Sequence, residues 1–555
     1  MHKKTYVGIV AGFLAAFSLS LYGAIAEAQY GTTAAKKTPN AEMNIAVGTC
    51  YGCHDAIKQL HTMGKHATIH CSNCHQGLAK HAAEPSPDTR PLTATSWKTC
   101  GQCHQKQYQS LMKVSYHRPA RDEKSQLTSR SPNPFWDKLM AGHGFTKEHN
   151  LTRSHVHMLT DQFLVDRAFG GRFQPKNGWN YVFETGKIWD IVLDTHPETK
   201  EQKAFLPQTA AAANPVCLQC KTQDLILKWA YLGDPVPGAT WSRTSNVVEV
   251  VKDVEYGMNC FTCHDPHAAK PRIVRDALIQ ALSRPEADTL WHKDQKHTNI
   301  KIIDMGLRGF TRKIALLEKY DSRLMCGQCH VEYNCNPGID PKTGDVVKMS
   351  DRRANIFPFR DVFGIYDFYV NQVSFLDWRH PLTGGLLWKA QHPETETYYN
   401  SKHAKAGVSC DACHTPKIKD TKTGKIWTSH FAVTPRVQLK ETCLKCHGKW
   451  SEDQAKYSID SIKAHIKGKL RKAEFWACAL IDAIVAAKNA GVDPAVIKQA
   501  QDQHLRAHVL WEYWTAENSD GFHNPEMAKE SLTKSVDESQ KGIKLLNDAM
   551  TSKKM

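Results

Sequence analysis

The sequence predicts a mainly α-helical fold that ends in long helices, and three observations lead to this prediction. Three amphipathic segments follow residue 452: KAEFWACALIDAIVAAKNAG (472–491), DPAVIKQAQDQHLRAHVLWEYWTAEN (493–518) and NPEMAKESLTKSVDESQKGIKLLNDAM (524–550). Their apolar residues recur at helical spacing, and Gly491 and the Asp-Pro pair at 493–494 are stop and start signals. Strand signals are few, because NVVEVV (246–251) and IWDIVL (188–193) are short and isolated.

The first 28 residues are predicted to be a secretory signal peptide. MHKK is basic, residues 7–26 are apolar, and Ala24, Ala26 and Ala28 offer A-x-A cleavage sites. An uncleaved membrane anchor is the alternative, since the apolar run is nearly long enough to span a bilayer. No later segment is that apolar, so we expect a periplasmic protein that is not integral to the membrane after cleavage.

The cysteines of this exported chain are spaced for haem attachment and not for disulfides. The chain has 18 cysteines. Fourteen of them lie in seven C-x-x-C-H motifs, CYGCH, CSNCH, CGQCH, CFTCH, CGQCH, CDACH and CLKCH, which begin at Cys50, Cys71, Cys100, Cys260, Cys326, Cys410 and Cys443. The second cysteines are Cys53, Cys74, Cys103, Cys263, Cys329, Cys413 and Cys446. In this signature of c-type haem, both thiols bond the porphyrin and the histidine binds the iron. The predicted proximal histidines are His54, His75, His104, His264, His330, His414 and His447.

An eighth motif, CLQCK, has the same cysteine spacing but ends in lysine. It could be a ruined haem site, a zinc or redox C-x-x-C, or a haem whose iron binds Lys221. A decayed site would have been expected to lose a cysteine, whereas Cys217 and Cys220 are both present. We therefore interpret Lys221 as a proximal ligand and predict eight haems c.

The net charge of +16 does not indicate a nucleic-acid partner in this chain. Eight haems bring sixteen propionate carboxylates, which part of the basic surplus would balance. The 29 histidines are enough to give the seven histidine motifs a second axial ligand each. The motifs suggest a signal peptide (1–28), a three-haem domain (29–130), a five-haem catalytic domain (131–452) and a C-terminal helical region (453–555), with haems filling much of the core.

Five segments resemble the octahaem cytochrome c nitrite reductases and, more distantly, the pentahaem enzymes of the same activity. These segments are NPVCLQCKTQD (214–224), CGQCHVEYNC (326–335), KAQHPETET (389–397), GVSCDACHTPK (407–417) and GFHNPE (521–526). The resemblance extends over nearly the whole mature chain, and the first three haems correspond to the octahaem addition. It implies reduction of nitrite to ammonium at the lysine-ligated haem.

The resemblance also implies an active site beside Lys221. Arg153 would bind the nitrite anion, and Tyr333 and His392 would donate hydrogen bonds and protons. From the residues alone, Arg153 could instead pair with a propionate, Tyr333 could be a core aromatic and His392 could be a haem ligand. A free lysine has a pKa of about 10.4, so coordination and burial must keep the Lys221 amine deprotonated.

Further ligands are implied by the same resemblance. Calcium would bind Glu332, Gln391 and main-chain carbonyls of Tyr333 and Lys389, with a Glu–Lys ion pair as the alternative. The distal haem ligands would be His66, His81, His117, His143, His403, His430 and His523, with His267 as a rival. Which histidine serves which haem stays open.

Two cysteines, Cys335 and Cys478, lie outside every haem motif. In the resembling enzymes, a Tyr-x-Cys at the position of Tyr333 and Cys335 forms a thioether cross-link. A Cys335–Cys478 disulfide is the alternative, and Cys478 could equally be a buried apolar thiol.

The predicted function is six-electron nitrite reduction, with hydroxylamine as a further substrate and sulfite as a candidate side substrate. The alternatives are a hydroxylamine- or hydrazine-oxidising octahaem enzyme, whose active haem has an ordinary C-x-x-C-H, and a cytochrome that only transfers electrons. The expected partners are a quinol-linked or periplasmic cytochrome donor and further copies of the same chain in a homo-oligomer.

Overall fold

The computed structural model describes residues 44–113, 134–142, 154–158, 215–246, 249–250, 253–254, 256–285, 289–305 and 309–554. The predicted signal peptide and the segment IWDIVL lie outside these ranges. Packing divides the described chain into two units. One contains residues 44–47 and 70–93, with the second haem motif, and the other contains residues 48–69 and 94 onwards. The division into a three-haem domain, a five-haem domain and a C-terminal helical region remains a prediction from the sequence.

The predicted mainly helical fold is confirmed. The helices are Val47–Tyr51, Asp55–Thr62, Leu78–Ala83, Trp97–Gly101, Gln105–Leu111, Pro134–Leu139, Pro215–Leu218, Cys260–Cys263, Asp276–Leu282, Leu290–Lys293, Ser322–Cys326, Val362–Asp367, Glu394–Tyr399, Lys402–Lys405, Cys410–His414, Cys443–Cys446, Glu452–Asn489, Pro494–Ala516 and Pro525–Lys554. Short 3₁₀ turns occur at Cys71–Asn73, His155–His157, Asp224–Leu227, Tyr231–Gly233, Arg352–Ala354 and Pro435–Val437, and a π-helical turn at Phe368–Val373.

The three long helices predicted at the C-terminal end are confirmed. Ser451 caps the first with a capping box, and the chain leaves it through Gly491 at a φ of +67°. Asp493 caps the second, whose first residue is proline. The three helices pack on one another over a core that includes Ala477, Leu505 and Leu532. None of the helices in the described part of the chain is long and apolar enough to cross a membrane.

Strands are short, as expected from the few strand signals. Antiparallel strands His264–Asp265, Lys270–Ile273, Lys313–Leu317 and Ile300–Asp304 form one sheet in that order, and the pairs His75–Gln76 with Leu92–Thr93, Gly338–Ile339 with Val346–Val347, Trp378–Arg379 with Leu386–Leu387, and Lys417–Lys419 with Ile426–Thr428 form separate hairpins. The strand interpretation of NVVEVV is wrong at Glu249 and Val250, which are helical. The fully buried Val250 belongs to an apolar core, and burial explains its apolar character without a strand.

Three of the hairpins share one turn sequence that the sequence analysis missed. The turns read DPKTG, HPLTG and DTKTG, and their first residues are Asp340, His380 and Asp420. In each turn, the first side chain accepts a hydrogen bond from the threonine N–H three residues later, at 3.4, 3.3 and 2.6 Å respectively. The Nδ1 atom of His380 therefore takes the place of an aspartate oxygen.

Candidate haem centres and active site

Each haem motif lies on a short helix, a turn, or the first turn after a helix. Within a motif such as Cys326–His330, the histidine N–H donates to the carbonyl oxygen of the first cysteine at 2.8 Å. Because residues three and four apart share one face of a helix, the two thiols and the histidine project to the same side. The motif that ends in Lys221 follows the helix Pro215–Leu218, and the Lys221 N–H donates to the Leu218 carbonyl at 2.9 Å. The local backbone therefore suits haem attachment at both kinds of motif.

Five motif histidines face a second imidazole across a gap that suits a metal ion. With metal–nitrogen bonds of about 2 Å, two imidazoles on opposite sides of one ion place their ring centroids roughly 6 Å apart. The observed pairs are His104 with His66 at 6.2 Å, His264 with His430 at 6.4 Å, His330 with His155 at 6.2 Å, His414 with His523 at 6.1 Å and His447 with His403 at 6.4 Å.

The outer nitrogen of several of these rings is held by the protein. Histidines that bind metals usually donate their other ring N–H to a carbonyl or carboxylate. Nδ1 makes such a contact in His66 (Pro266 O, 2.7 Å), His414 (Val433 O, 3.0 Å), His430 (Thr428 O, 3.1 Å) and His523 (Glu517 Oε1, 2.6 Å), and in His330 it faces Glu394 Oε2 at 3.4 Å. This pattern leaves Nε2 of each ring for iron.

Other histidines are excluded as ligands because both of their nitrogens are used. His61 bonds the Tyr51 hydroxyl and the Ile69 carbonyl, at 2.5 and 3.0 Å. His70 bonds Ser72 and the carbonyl of Ile45, both at 2.8 Å. These rings are structural.

His155 is a ligand candidate that the sequence analysis missed. The position of His155, two residues after Arg153 in the segment TRSHVH, was the available signal. The predicted candidates His117 and His143, and the predicted anion-binding Arg153, lie outside the described residues.

The predicted distal ligand His81 lies in the same unit as His75. Its Nδ1 is bonded to Thr89 at 3.2 Å.

Attachment cysteines from different motifs contact one another. Cys100 interacts with Cys260, and Cys326 interacts with Cys410. The Cys220 sulfur lies 3.7 Å from the Gln328 carbonyl, and the Cys329 sulfur lies 3.8 Å from the Cys220 carbonyl. Haems attached at these motifs would be close neighbours, as electron transfer between them requires.

A small cavity lies between the lysine motif and the motif at Cys326–His330. Its lining includes Gln219, Arg275, Gln328 and Cys329. Arg275 is buried, and its Nε and Nη2 atoms have no hydrogen-bond partner among the described residues. Nη1 of Arg275 bonds Gln219 and lies 3.7 Å from Asp276 Oδ1. The two unpartnered nitrogens would suit an anionic group such as a haem propionate.

Tyr333 lies beside this cavity. Its side chain is buried, and the Arg275 guanidinium carbon lies 5.7 Å from the centre of its ring. Burial raises the pKa of the Tyr333 phenol well above its usual range, so the hydroxyl keeps its proton and can donate a hydrogen bond.

His392 lies on the other side of the same region. Its Nδ1 is 3.3 Å from the side-chain amide of Asn518, and its ring centroid is 6.4 Å from that of His330. His330 thus has two imidazole neighbours, His155 and His392. His392 is therefore also close enough to His330 to be the second ligand of that haem, which is the alternative role predicted for it.

Two of the predicted calcium ligands, Glu332 and Gln391, are buried and contact each other. Gln391 N–H donates to Glu332 Oε2 at 2.7 Å, while Lys389 is buried nearby in the chain and donates from its backbone to Asp377 at 2.8 Å. Glu332 Oε1 is buried and has no hydrogen-bond partner in the described part of the protein. Burial raises the pKa of Glu332 well above its usual range. A hard cation such as Ca²⁺ fits this oxygen, because it would offset the desolvation of the carboxylate.

The two cysteines outside the motifs lie in different cores, and the predicted alternative of a disulfide between them is wrong. Cys335 is buried with its sulfur 3.4 Å from that of Cys217 and 3.5 Å from the Gln391 amide nitrogen. Cys478 packs among the C-terminal helices, with its sulfur 3.8 Å from the Phe135 carbonyl.

Residues 176–555 match the model of the cytochrome c552 family. The chain belongs to the cytochrome c552 family. Membership accounts for the haem c motifs within the matched residues and for a helical fold that ends in long helices.

One curated protein and one solved structure are similar to this chain. The cytochrome c nitrite reductase subunit NrfA of Nitratidesulfovibrio vulgaris Hildenborough is 28% identical over 436 residues, which cover 76% of this chain and 70% of that protein. The structure of cytochrome c nitrite reductase from Desulfovibrio desulfuricans ATCC 27774 aligns with a TM-score of 0.56 and 22% identity, over 82% of this chain and 87% of that one. The catalytic subunit of that enzyme has two calcium sites.

Proposed function

We propose that this protein is a periplasmic octahaem enzyme that reduces nitrite to ammonium. The observation that carries the proposal is one lysine motif among seven histidine motifs, in a chain whose family includes cytochrome c nitrite reductases. Iron with two histidine ligands has no open position, so it can only pass electrons. A haem held by Cys217, Cys220 and Lys221 would supply an iron that can bind a substrate.

Nitrite reduction to ammonium consumes six electrons and eight protons, and the residues divide this work. When bound, the haem at Cys217 and Cys220 supplies an iron for nitrite, and the other haems supply the electrons. Arg153 would bind the negative oxygens of nitrite. Tyr333 and His392 would donate hydrogen bonds and protons to the bound substrate.

The five imidazole pairs would hold five of the seven haems of the histidine motifs, as an electron relay needs. We propose His66 for the haem of His104, His430 for that of His264, His155 for that of His330, His523 for that of His414 and His403 for that of His447. His81 and His117 remain the candidates for the haems of His54 and His75. The contacts between motif cysteines would connect these haems to the lysine site.

The remaining parts of the proposal concern ligands and partners. Calcium would bind Glu332, Gln391 and the carbonyls of Tyr333 and Lys389. Hydroxylamine, an intermediate oxidation state, and sulfite, another small oxyanion, are proposed further substrates. The electron donor would be a quinol-linked or periplasmic cytochrome, and the enzyme would be a homo-oligomer.

A substrate comparison tests this function. The purified holoprotein is supplied with reduced viologen and with nitrite, hydroxylamine or sulfite in turn, and ammonium or sulfide is measured. We expect ammonium from nitrite and hydroxylamine. Oxidation of hydroxylamine without nitrite reduction would instead indicate the oxidising class, and no turnover of any substrate would indicate an electron-transfer cytochrome. A haem-to-protein ratio of five would contradict the octahaem count.

A further inference from the structure

A second buried carboxylate, Glu396, lies against the proposed calcium site. Its Oε1 accepts the backbone N–H of Glu332 at 3.0 Å. Glu332 and Glu396 are both completely buried. Glu332 Oε1 and Glu396 Oε2 have no hydrogen-bond partner within the described residues. Two adjacent carboxylate oxygens without partners, both shielded from water, require a compensating positive group.

The nearby charges leave a deficit of two. Glu396, Lys389 and Asp377 are the charged groups that act on Glu332. With a cation bound and all three carboxylates ionised, they would carry three negative charges, of which Lys389 would balance one. Glu394 is not counted in this cluster, because its carboxylate has other partners. It accepts a hydrogen bond from the Asn518 N–H at 3.0 Å and faces His330. A divalent cation would make the buried cluster neutral.

We infer that Glu396 belongs to the calcium site as its charge-balancing residue. This inference rests on the proposed calcium site and adds a residue to it. Oε1 of Glu396 fixes the backbone of Glu332, and its free Oε2 supplies the second negative charge that a divalent ion needs. Outer carboxylates of this kind typically contribute about 10–100-fold to metal affinity.

The test compares Glu396→Gln with the wild-type holoprotein after calcium has been removed by a chelator. Glutamine keeps the size of the side chain and an oxygen that accepts the Glu332 N–H, so only the charge is lost. Calcium titration by calorimetry is expected to show at least about tenfold weaker binding in the variant. Glu474→Gln is the matched control, because Glu474 is also completely buried but lies on the helix Glu452–Asn489 beside Arg471. Calcium affinity of this control is expected to match the wild type.

Thermal unfolding separates a charge role from a packing role. Without calcium, Glu396→Gln is expected to unfold at the same temperature as the wild type or higher, because it removes an uncompensated buried carboxylate. With calcium, the variant is expected to gain less stability than the wild type. Equal calcium affinity in variant and wild type would overturn the inference, and so would an equal loss of stability with and without calcium.

The nitrite assay on the same preparations distinguishes this inference from the proposed function. A wild-type protein that forms ammonium but binds no calcium would overturn the calcium site and the role of Glu396 together. It would leave nitrite reduction standing. A protein that binds calcium through Glu396 but forms no ammonium would support the role of Glu396 and overturn nitrite reduction.

Discussion

The imidazole of His155 faces that of His330, with ring centroids 6.2 Å apart and ring planes at 85°. If His155 is the distal ligand of this haem, His155→Ala removes one axial ligand and leaves the thioethers at Cys326 and Cys329 intact. We expect an unchanged haem content and one additional high-spin haem in the electron paramagnetic resonance spectrum. His465→Ala, at an exposed histidine of the first long helix, is the control. A new high-spin haem in His392→Ala or His143→Ala, and none in His155→Ala, would identify a different ligand.

The second prediction concerns Cys335, whose sulfur has two candidate neighbours. We predict a thioether to Tyr333, which would fix the phenol beside the substrate. The proteolytic peptide that contains both residues should then be two hydrogens lighter than its sequence and resistant to reductant. Cys217, at 3.4 Å, is the competing partner. An alkylatable Cys335, or a reducible link to Cys217, would contradict the thioether.

The third prediction concerns the proposed proton donor His392. Removing a preorganised donor aimed at developing charge typically lowers kcat by about 10²–10³-fold. We therefore expect His392→Asn and Arg153→Ala to keep all eight haems and lose nitrite turnover by about this factor. His465→Asn should leave turnover unchanged. A variant that loses haems, with turnover falling in proportion, would instead indicate a structural role, such as pairing with a propionate.

The fourth prediction concerns pH and the hairpin residue His380. Its Nε2 donates to the Lys138 carbonyl at 2.9 Å and its Nδ1 accepts the Thr383 N–H, so the ring is neutral. Burial lowers the pKa of His380 to about 4. In the unfolded chain its pKa is about 6.5, so below that pH the unfolded state binds more protons and stability falls, by at most about 3 kcal/mol as the pH approaches 4.

Asparagine at this position offers the same acceptor and donor without a titrating group. We expect His380→Asn to lose less thermal stability than the wild type between pH 7 and pH 4.5, with His465→Asn as the control. An identical pH dependence in wild type and His380→Asn would contradict the assigned bonds.

The sequence predicted the parts of the molecule that depend on local spacing. The long C-terminal helices follow from their apolar period, and the cysteine motifs identify the attachment points. Axial pairing could not be predicted, because it joins residues such as His264 and His430 that are distant in the chain. His155 carries no local signal apart from its place near Arg153. Glu396 becomes notable only when its burial beside Glu332 is known.

Lys221 is the residue on which the account depends most. The direct test is a single assay with reduced viologen and ¹⁵N-nitrite, in which oxidised viologen and ¹⁵N-ammonium are both counted for the wild type and for Lys221→His. The account predicts six electrons per ammonium in the wild type, and a strongly reduced rate with an altered spectrum and a full haem content in the variant. Unchanged rate and spectrum in Lys221→His would contradict lysine ligation of the active haem, and no ¹⁵N-ammonium from the wild type would contradict nitrite reduction itself.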